Sequence, residues 1–160
     1  MTTQVGTPVG TRGWLKTLEA RVTAIETDTA TVTLTGTQTL TNKTLTSPVI
    51  TRSVTAHTAD FALTAAQSGS VHTSDGASGT ITCSLPAATV GTEFFFKVGA
   101  AQQLRLDPNG TETIALPSTG VQSSAGAYIV ADAAGETVHI VCVTDGTWSV
   151  FGYTGTWTAV

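Results

Sequence analysis

The sequence is short of charge. Only 11% of its 160 residues are charged, seven basic and eleven acidic, whereas an average soluble domain carries about 25%. The surface therefore consists mainly of Thr, Ser, Gly, Ala and Gln, as is typical of extracellular or viral β-proteins and of subunits that bury area against partners. Weak acidity with scattered charges argues against a nucleic-acid partner.

Long apolar runs and cysteine are also scarce. No apolar run approaches the roughly 20 residues that cross a bilayer, so we expect no membrane partner. The opening stretch MTTQVGTPVG has neither the basic nor the apolar region of a secretory signal, so we expect folding in a cytoplasm. Cys83 and Cys142 lie in apolar strand patterns. In a reducing compartment they should be free, buried thiols, and two cysteines do not suffice for a zinc site.

Catalytic motifs are missing as well. The chain has no G-x-S-x-G elbow and no H-E-x-x-H pair, and the acidic residues fall mostly in turn signals. We expect His139 and His72 on strand faces rather than in a catalytic site. His57 and Asp60 leave three readings open: a metal site, a contact on an oligomer axis, or a polar linker contact. We therefore predict no catalytic residues, no metal and no cofactor.

Four aromatic residues cluster near the C-terminus: Trp148, Phe151, Tyr153 and Trp157. Aromatic rings both fill protein cores and stack on flat ligands. The sequence leaves two roles open for this cluster, stacking on sugar rings or filling a core and a subunit contact.

Residues 13–27, GWLKTLEARVTAIET, form the one convincing helix in the sequence. Its apolar residues Leu15, Leu18, Val22 and Ile25 are spaced three, four and three apart, which predicts an apolar seam over two heptads. So short a helix is marginal alone. It is expected to pair with its copies in a parallel bundle or, alternatively, to pack elsewhere.

The connector at residues 28–67 opens with a threonine rhythm. Threonine occupies every odd position from Thr27 to Thr41, with Val32, Leu34 and Leu40 between, and this period of two predicts a strand. A lone strand leaves its backbone groups unpaired. We therefore expect identical strands from neighbouring subunits to pair with it, and we interpret residues 52–67 as a linker or a second short element.

Residues 68–160 read as a series of short strands separated by Gly, Pro, Asp and Asn. Nine candidates, SVHTS, TITCSL, TEFFFKV, QLRLD, ETIAL, GVQSS, AYIVAD, TVHIVCV and TWSVFGY, predict an antiparallel β-sandwich or jelly-roll-like domain. Both faces of FFF and IVCVT are apolar, which predicts a core on one side and a subunit contact on the other. Alternation predicts these inward residues: Ile81, Cys83, Leu85, Phe94, Phe96, Val98, Leu104, Leu106, Ile129, Val138, Ile140, Cys142, Trp148 and Val150.

Two motifs carry a family resemblance. GTQTLTNKTLTSPVI resembles a segment that recurs in virion appendage proteins of tailed bacteriophages. The C-terminal part looks like the small β-domains that end many of these virion proteins. This second resemblance lies in three successive segments, TITCSLPAATVGTEFFFKV, LRLDPNGTETI and GETVHIVCVTDGTWSVFG. The resemblance implies a mainly β, non-enzymatic homotrimer with a stalk of short helices and intertwined strands and a β-domain knob.

The short N-terminal arm sets this chain apart from long-shafted tail fibres. We therefore predict a homotrimeric capsid decoration (cement) protein or head fibre, made in the host bacterial cytoplasm and placed on the capsid surface. The alternative is a tail-fibre or spike tip that binds a host surface glycan. Residues 1–12 would bind the major capsid protein. The anchoring residues are Val5, Pro8, Val9, Arg12 and Trp14, and the trimerisation residues are Leu15, Leu18, Val22, Ile25, Val32, Leu34, Leu40 and Leu45.

Overall fold

The structure is a computed structural model that describes residues 41, 44 and 46–160. Within it, residues Val49–Val160 form one compact unit. This unit is mainly β and contains two sheets. The predicted helix at 13–27 and the threonine ribbon before residue 41 lie outside the described residues.

The unit contains eleven short strands and one 3-10 turn, Ala65–Gln67. The strands are β1 (Val54–Ala56), β2 (Phe61–Ala62), β3 (Val71–Thr73), β4 (Ile81–Ser84), β5 (Glu93–Lys97), β6 (Leu104–Asp107), β7 (Thr113–Ile114), β8 (Ile129–Ala131), β9 (Thr137–Thr144), β10 (Thr147–Thr154) and β11 (Thr158–Ala159). Seven of the nine predicted strand segments contain β3 to β6 and β8 to β10, and an eighth contains the two-residue β7. The ninth, GVQSS, forms only a single bridge, between Ala115 and Gln122.

Strands β1 to β6 alternate between the two sheets. The six-stranded sheet has the order β1-β3-β5-β9-β10-β7, and the five-stranded sheet has the order β11-β8-β6-β4-β2. In this part of the chain each strand is followed by a strand of the other sheet. Two neighbouring strands of one sheet are therefore joined through a strand of the other sheet, and they run in the same direction. Consequently β1-β3-β5 and β2-β4-β6 are parallel.

The predicted antiparallel pairing is therefore wrong for the first half of the domain. It holds for four of the later ladders, β5-β9, β9-β10, β6-β8 and β8-β11, but not for β7-β10, which is parallel. The long hairpin of β9 and β10 turns at Asp145-Gly146, where Gly146 has a φ of 79°. A tight hairpin turn of this kind favours glycine because other side chains are strained at positive φ.

The core is formed by inward residues of both sheets. The strand alternation predicted fourteen of them, and all are buried except Val150, which is partly buried and packs against the same cluster. The prediction that Cys83 and Cys142 are free, buried thiols is confirmed. Burial raises the pKa of both thiols, so they are poor nucleophiles.

The domain also begins earlier than residue 68. Strand β1 pairs with β3 and strand β2 pairs with β4, so residues of the expected linker 52–67 extend both sheets. These strands are three and two residues long, too short to show an alternation in the sequence. Their hydrogen bonds with longer strands fix them in place.

Candidate functional site: the outer face of the six-stranded sheet

Every residue predicted to anchor or to trimerise the chain lies outside the described residues. Their roles remain predictions. In the described unit, the surface that stands out is the outer face of the six-stranded sheet.

A row of side chains crosses that face from strand to strand. Val54 is in register with Val71, Val71 with Phe95, and Phe95 with His139. A bulge in β10 at Phe151 places the Phe151 ring 6.0 Å from the His139 ring, measured between centroids. We call these five residues, Val54, Val71, Phe95, His139 and Phe151, the outer stripe.

The centre of the outer stripe is held by stacking and by an ionic network. The rings of Phe95 and His139 stack with centroids 3.9 Å apart, and the Arg52 guanidinium lies 4.2 Å from the centroid of Phe95. Glu93 Oε2 is 2.8 Å from His139 Nε2, and Glu93 Oε1 is 3.2 Å from Arg52 Nη1. These contacts order an aromatic surface whose charges are already paired.

The hydrogen bond from His139 lowers the pKa of Glu93, and the bond and charge of Arg52 add to the effect. Glu93 is therefore ionised at neutral pH. Arg52 Nη1 also donates to the carbonyl oxygen of Gly69 at 2.8 Å, which links the network to the backbone before β3.

The outer stripe ends in exposed apolar residues. Phe151 is 63% exposed and Val54 is 67% exposed, and Val143, on the same strand as His139, is 50% exposed. Beside the stripe runs a polar row that contains Thr73, Lys97, Thr137 and Thr154. An apolar centre with a polar margin is the usual composition of a protein–protein contact.

The outer face of the five-stranded sheet has a different character. Its central strands carry Thr82 and Ser84 on β4 and Arg105 and Asp107 on β6, outside the buried Ile81, Cys83, Leu104 and Leu106. Such a polar face is suited to water. The two outer faces of the domain thus differ in polarity, and the more apolar one belongs to the six-stranded sheet.

A cleft of about 500 Å³ lies next to the outer stripe. Most of its lining residues have polar side chains, among them Arg52, Gln67, Ser70, His72 and Glu93. Hydroxyl, amide, guanidinium and carboxylate groups in one cleft are able to donate hydrogen bonds to a polar ligand and to accept them from it.

A buried chain of hydrogen bonds runs behind the cleft. Ser70 Oγ donates to the carbonyl oxygen of Gln67 at 2.5 Å, so it accepts from His72 Nε2 at 2.7 Å. His72 Nδ1 then carries no proton and accepts from His57 Nε2 at 3.1 Å. This assignment satisfies every group with both imidazoles neutral.

Burial and the neighbouring His57 lower the pKa of His72 to about 4, and burial lowers the pKa of His57. His72 lies against the rings of Phe94 and Phe96. Since the hydroxyl of Ser70 is committed to a carbonyl oxygen, this Ser–His–His chain has the features of a structural network rather than of an activated nucleophile.

The pair His57 and Asp60 does not assemble into a common site. His57 stacks on Phe61 with centroids 3.4 Å apart, while Asp60 Oδ1 accepts a hydrogen bond from the backbone N–H of Thr82 at 2.7 Å. Among the described residues, no three His, Cys, Asp or Glu side chains are grouped closely enough to hold a metal ion. Each of the two side chains thus makes contacts within the domain, and a contact on an oligomer axis stays a prediction.

Two glutamates bind the backbone of loops. Glu136 is buried and accepts from the backbone N–H groups of Asp132, Ala133 and Thr156. Both oxygens of Glu112 lie 3.0 Å from the backbone nitrogen of Ala88. These carboxylates fix turns, in line with the turn signals around them in the sequence.

The C-terminal aromatic residues divide between the core and the surface. Trp148 and Trp157 are buried in the core, whereas Phe151 and Tyr153 are exposed. The sequence did not separate these roles because β10 changes its register at the bulge. It also missed Arg52 and Val54, which fell within the expected linker.

No protein-family model matches this chain, and no curated protein matches it either. Within the stretch that the structure describes, no helix has the length and apolar character needed to span a bilayer.

Proposed function

We propose that this chain is a non-enzymatic structural protein of a tailed-bacteriophage virion, a homotrimeric capsid decoration protein or head fibre. In this proposal residues 1–12 bind the major capsid protein, the helix and threonine ribbon trimerise, and the β-domain projects as a sandwich-like knob. The proposal rests on the resemblance of GTQTLTNKTLTSPVI and of the strand series, together with one structural observation at the end of that motif.

That observation is the exposure of the motif's last apolar residues. Val49 is 94% exposed and Ile50 is 80% exposed, and both lie at the start of the compact unit. Leaving a Val or Ile side chain in water forfeits about 1.5–3 kcal/mol of burial free energy. Association of three copies would bury Val49 and Ile50 against the neighbouring subunits, just before the first strand of the domain.

On a capsid, a trimer that contacts several capsomers would stabilise the shell by mass action, since it binds the assembled form. The apolar area buried between subunits and between trimer and shell supplies the free energy. The scarcity of charge on the chain agrees with a surface that is partly covered in an assembly.

Capsid binding tests this proposal. Purified full-length protein and a variant without residues 1–12 are added to undecorated capsids, and bound protein is quantified after sedimentation. The full-length protein should saturate its sites, and the truncated one should stay in solution while keeping its trimer mass by light scattering. Full occupancy by the truncated protein contradicts the anchoring role, and a monomeric full-length protein contradicts the trimer.

A second candidate is a tail-fibre or spike tip that binds a cell-surface glycan. The cleft beside the outer stripe favours it, because Arg52, Gln67 and Glu93 line it with groups that suit sugar hydroxyls. Binding of the trimer to host polysaccharide, lost on Arg52→Ala and kept in Arg105→Ala, would support this candidate. Arg105 serves as the control because it lies on the other sheet.

A further inference from the structure

The apolar outer stripe points outward from a sheet whose inner face already packs in the core. Phe94, Phe96, Ile140 and Trp148 fill the inner face, whereas Phe95, His139 and Phe151 face away from it. Natural antiparallel and mixed sheets that face water on one side alternate apolar and polar residues. The central strands of the five-stranded sheet follow this rule, and the six-stranded sheet departs from it.

The charges around the outer stripe indicate what kind of partner could bind it. Arg52 pairs with Glu93, Lys97 lies 3.7 Å from Asp75, and His139 bonds to Glu93. Because each basic side chain on this face already has a carboxylate partner, the face presents no free charge pattern for an anionic polymer or surface. It suits an apolar, electrically neutral partner, and the same face on another copy has that character.

The size of the face allows such a contact. Strands lie about 4.8 Å apart and rise about 3.3 Å per residue, so the six strands, of which only β9 and β10 have eight residues, offer on the order of 450 Å² in projection. A stable interface buries about 800 Å² of accessible surface per partner, and a corrugated sheet of this projected size supplies more than half of that area.

We propose that the outer stripe is a contact surface between copies of this chain. In the homotrimer, on which this inference rests, the six-stranded sheets turn their outer faces toward the other copies. Phe151 and Val54 become buried at either end of the stripe, and the stacked Phe95 and His139 form its rigid centre. The polar sheet then faces outward.

Two matched variants test the surface in the full-length protein. Phe151→Asp introduces a charge into the outer stripe. Val121→Asp does the same at a loop residue of similar exposure, 61% against 63%. Sedimentation equilibrium should show that Phe151→Asp weakens association at least about tenfold, or about 1.4 kcal/mol, while Val121→Asp keeps the wild-type mass. Circular dichroism checks that both variants are folded.

Cysteine labelling provides a second readout that does not need a disruptive substitution. Ser149→Cys places a thiol on the outer face of β10, opposite Val141, and Thr82→Cys places one at an equally half-buried residue of the polar sheet. The native cysteines are buried. In otherwise wild-type protein, maleimide should label Cys at 149 at least about tenfold more slowly than Cys at 82, and Phe151→Asp should remove most of that difference.

The outcomes separate the two proposals. A trimer in which Cys at 149 labels as fast as Cys at 82, and in which Phe151→Asp keeps the mass, overturns the outer stripe as a contact and leaves the homotrimer intact. A wild-type protein that sediments as a monomer overturns both. Slow labelling at 149 in a monomer shows that another part of the same chain covers the stripe, and this also overturns the inference.

Discussion

His72 Nδ1 lies 3.1 Å from His57 Nε2, and this bond joins strand β3 to the residue that follows β1. It works only while His72 is neutral, since a protonated His72 would bring a buried charge against Phe94 and Phe96. The contact therefore links the acidity of the solution to the stability of the domain's first strands.

The first prediction concerns pH. The pKa of His72 falls from 6.5 to about 4 on folding, so the unfolded chain takes up a proton first as the pH drops. The contribution of His72 to the free energy of unfolding should decrease from about pH 6.5 to about pH 4, by about 3 kcal/mol in total, and level off below. Urea unfolding across this range measures it.

His72→Gln should lower stability at pH 7 but flatten this decrease. His139→Gln, on the outer face, is the control and should keep the decrease between pH 6.5 and 5. An equally steep curve for His72→Gln and wild type would show that another group carries the dependence.

The second prediction concerns Glu93, which pairs with Arg52 and His139. Since all three side chains are partly exposed, Glu93→Gln should cost no more than about 1 kcal/mol at pH 7, and less in high salt. The pKa of Glu93 is lowered, so its contribution is present above the unfolded pKa and is lost as the pH falls through the lowered one. A loss several times larger and insensitive to salt contradicts this account.

The third prediction compares two buried tryptophans. Trp157 Nε1 donates to the carbonyl oxygen of Thr137 at 3.1 Å, whereas Trp148 Nε1 has no hydrogen-bond partner in the described part of the chain. Trp148→Phe removes an unsatisfied donor, and Trp157→Phe removes a hydrogen bond. Trp157→Phe should therefore destabilise the fold more, by about 1 kcal/mol or more. If Trp148→Phe lowers the thermal stability more than Trp157→Phe does, the cavity left by the smaller ring outweighs the lost hydrogen bond.

The fourth prediction concerns the buried carboxylate Glu136. It accepts backbone hydrogen bonds from two turns, and its side chain also packs at Gly155, where a Cβ would collide with it. Glu136→Gln should cost about 1.5–3 kcal/mol in urea unfolding because an amide has only one oxygen acceptor. Glu112→Gln, at a half-buried site with one backbone partner, should cost less. Equal effects would show that burial of Glu136 contributes little.

The strands could be predicted because their residues alternate. In β5 and β9, alternate side chains are buried, so the period of two identified both the strands and nearly all of the core. The pairing could not be predicted in the same way. Whether a strand pairs with its neighbour or crosses to the opposite sheet depends on the path of the loop between them, which short Gly and Pro turns permit in either direction.

The contact surface could be predicted only in part. The apolar residues on both faces of FFF and IVCVT indicated a contact outside the core. The row that joins Phe95 to Val54 and Phe151 depends on strand register and on the bulge in β10, neither of which the sequence specifies locally. The predicted anchoring and trimerisation residues remain predictions from heptad spacing and from the family resemblance.

The position of this chain in a virion reconstruction tests the account most directly. We expect density for three copies around a threefold axis on the capsid surface, with the N-terminal segments against the shell and the β-domains outward. Density for the chain at the tail, or as single copies on the shell, would contradict a homotrimeric capsid decoration protein.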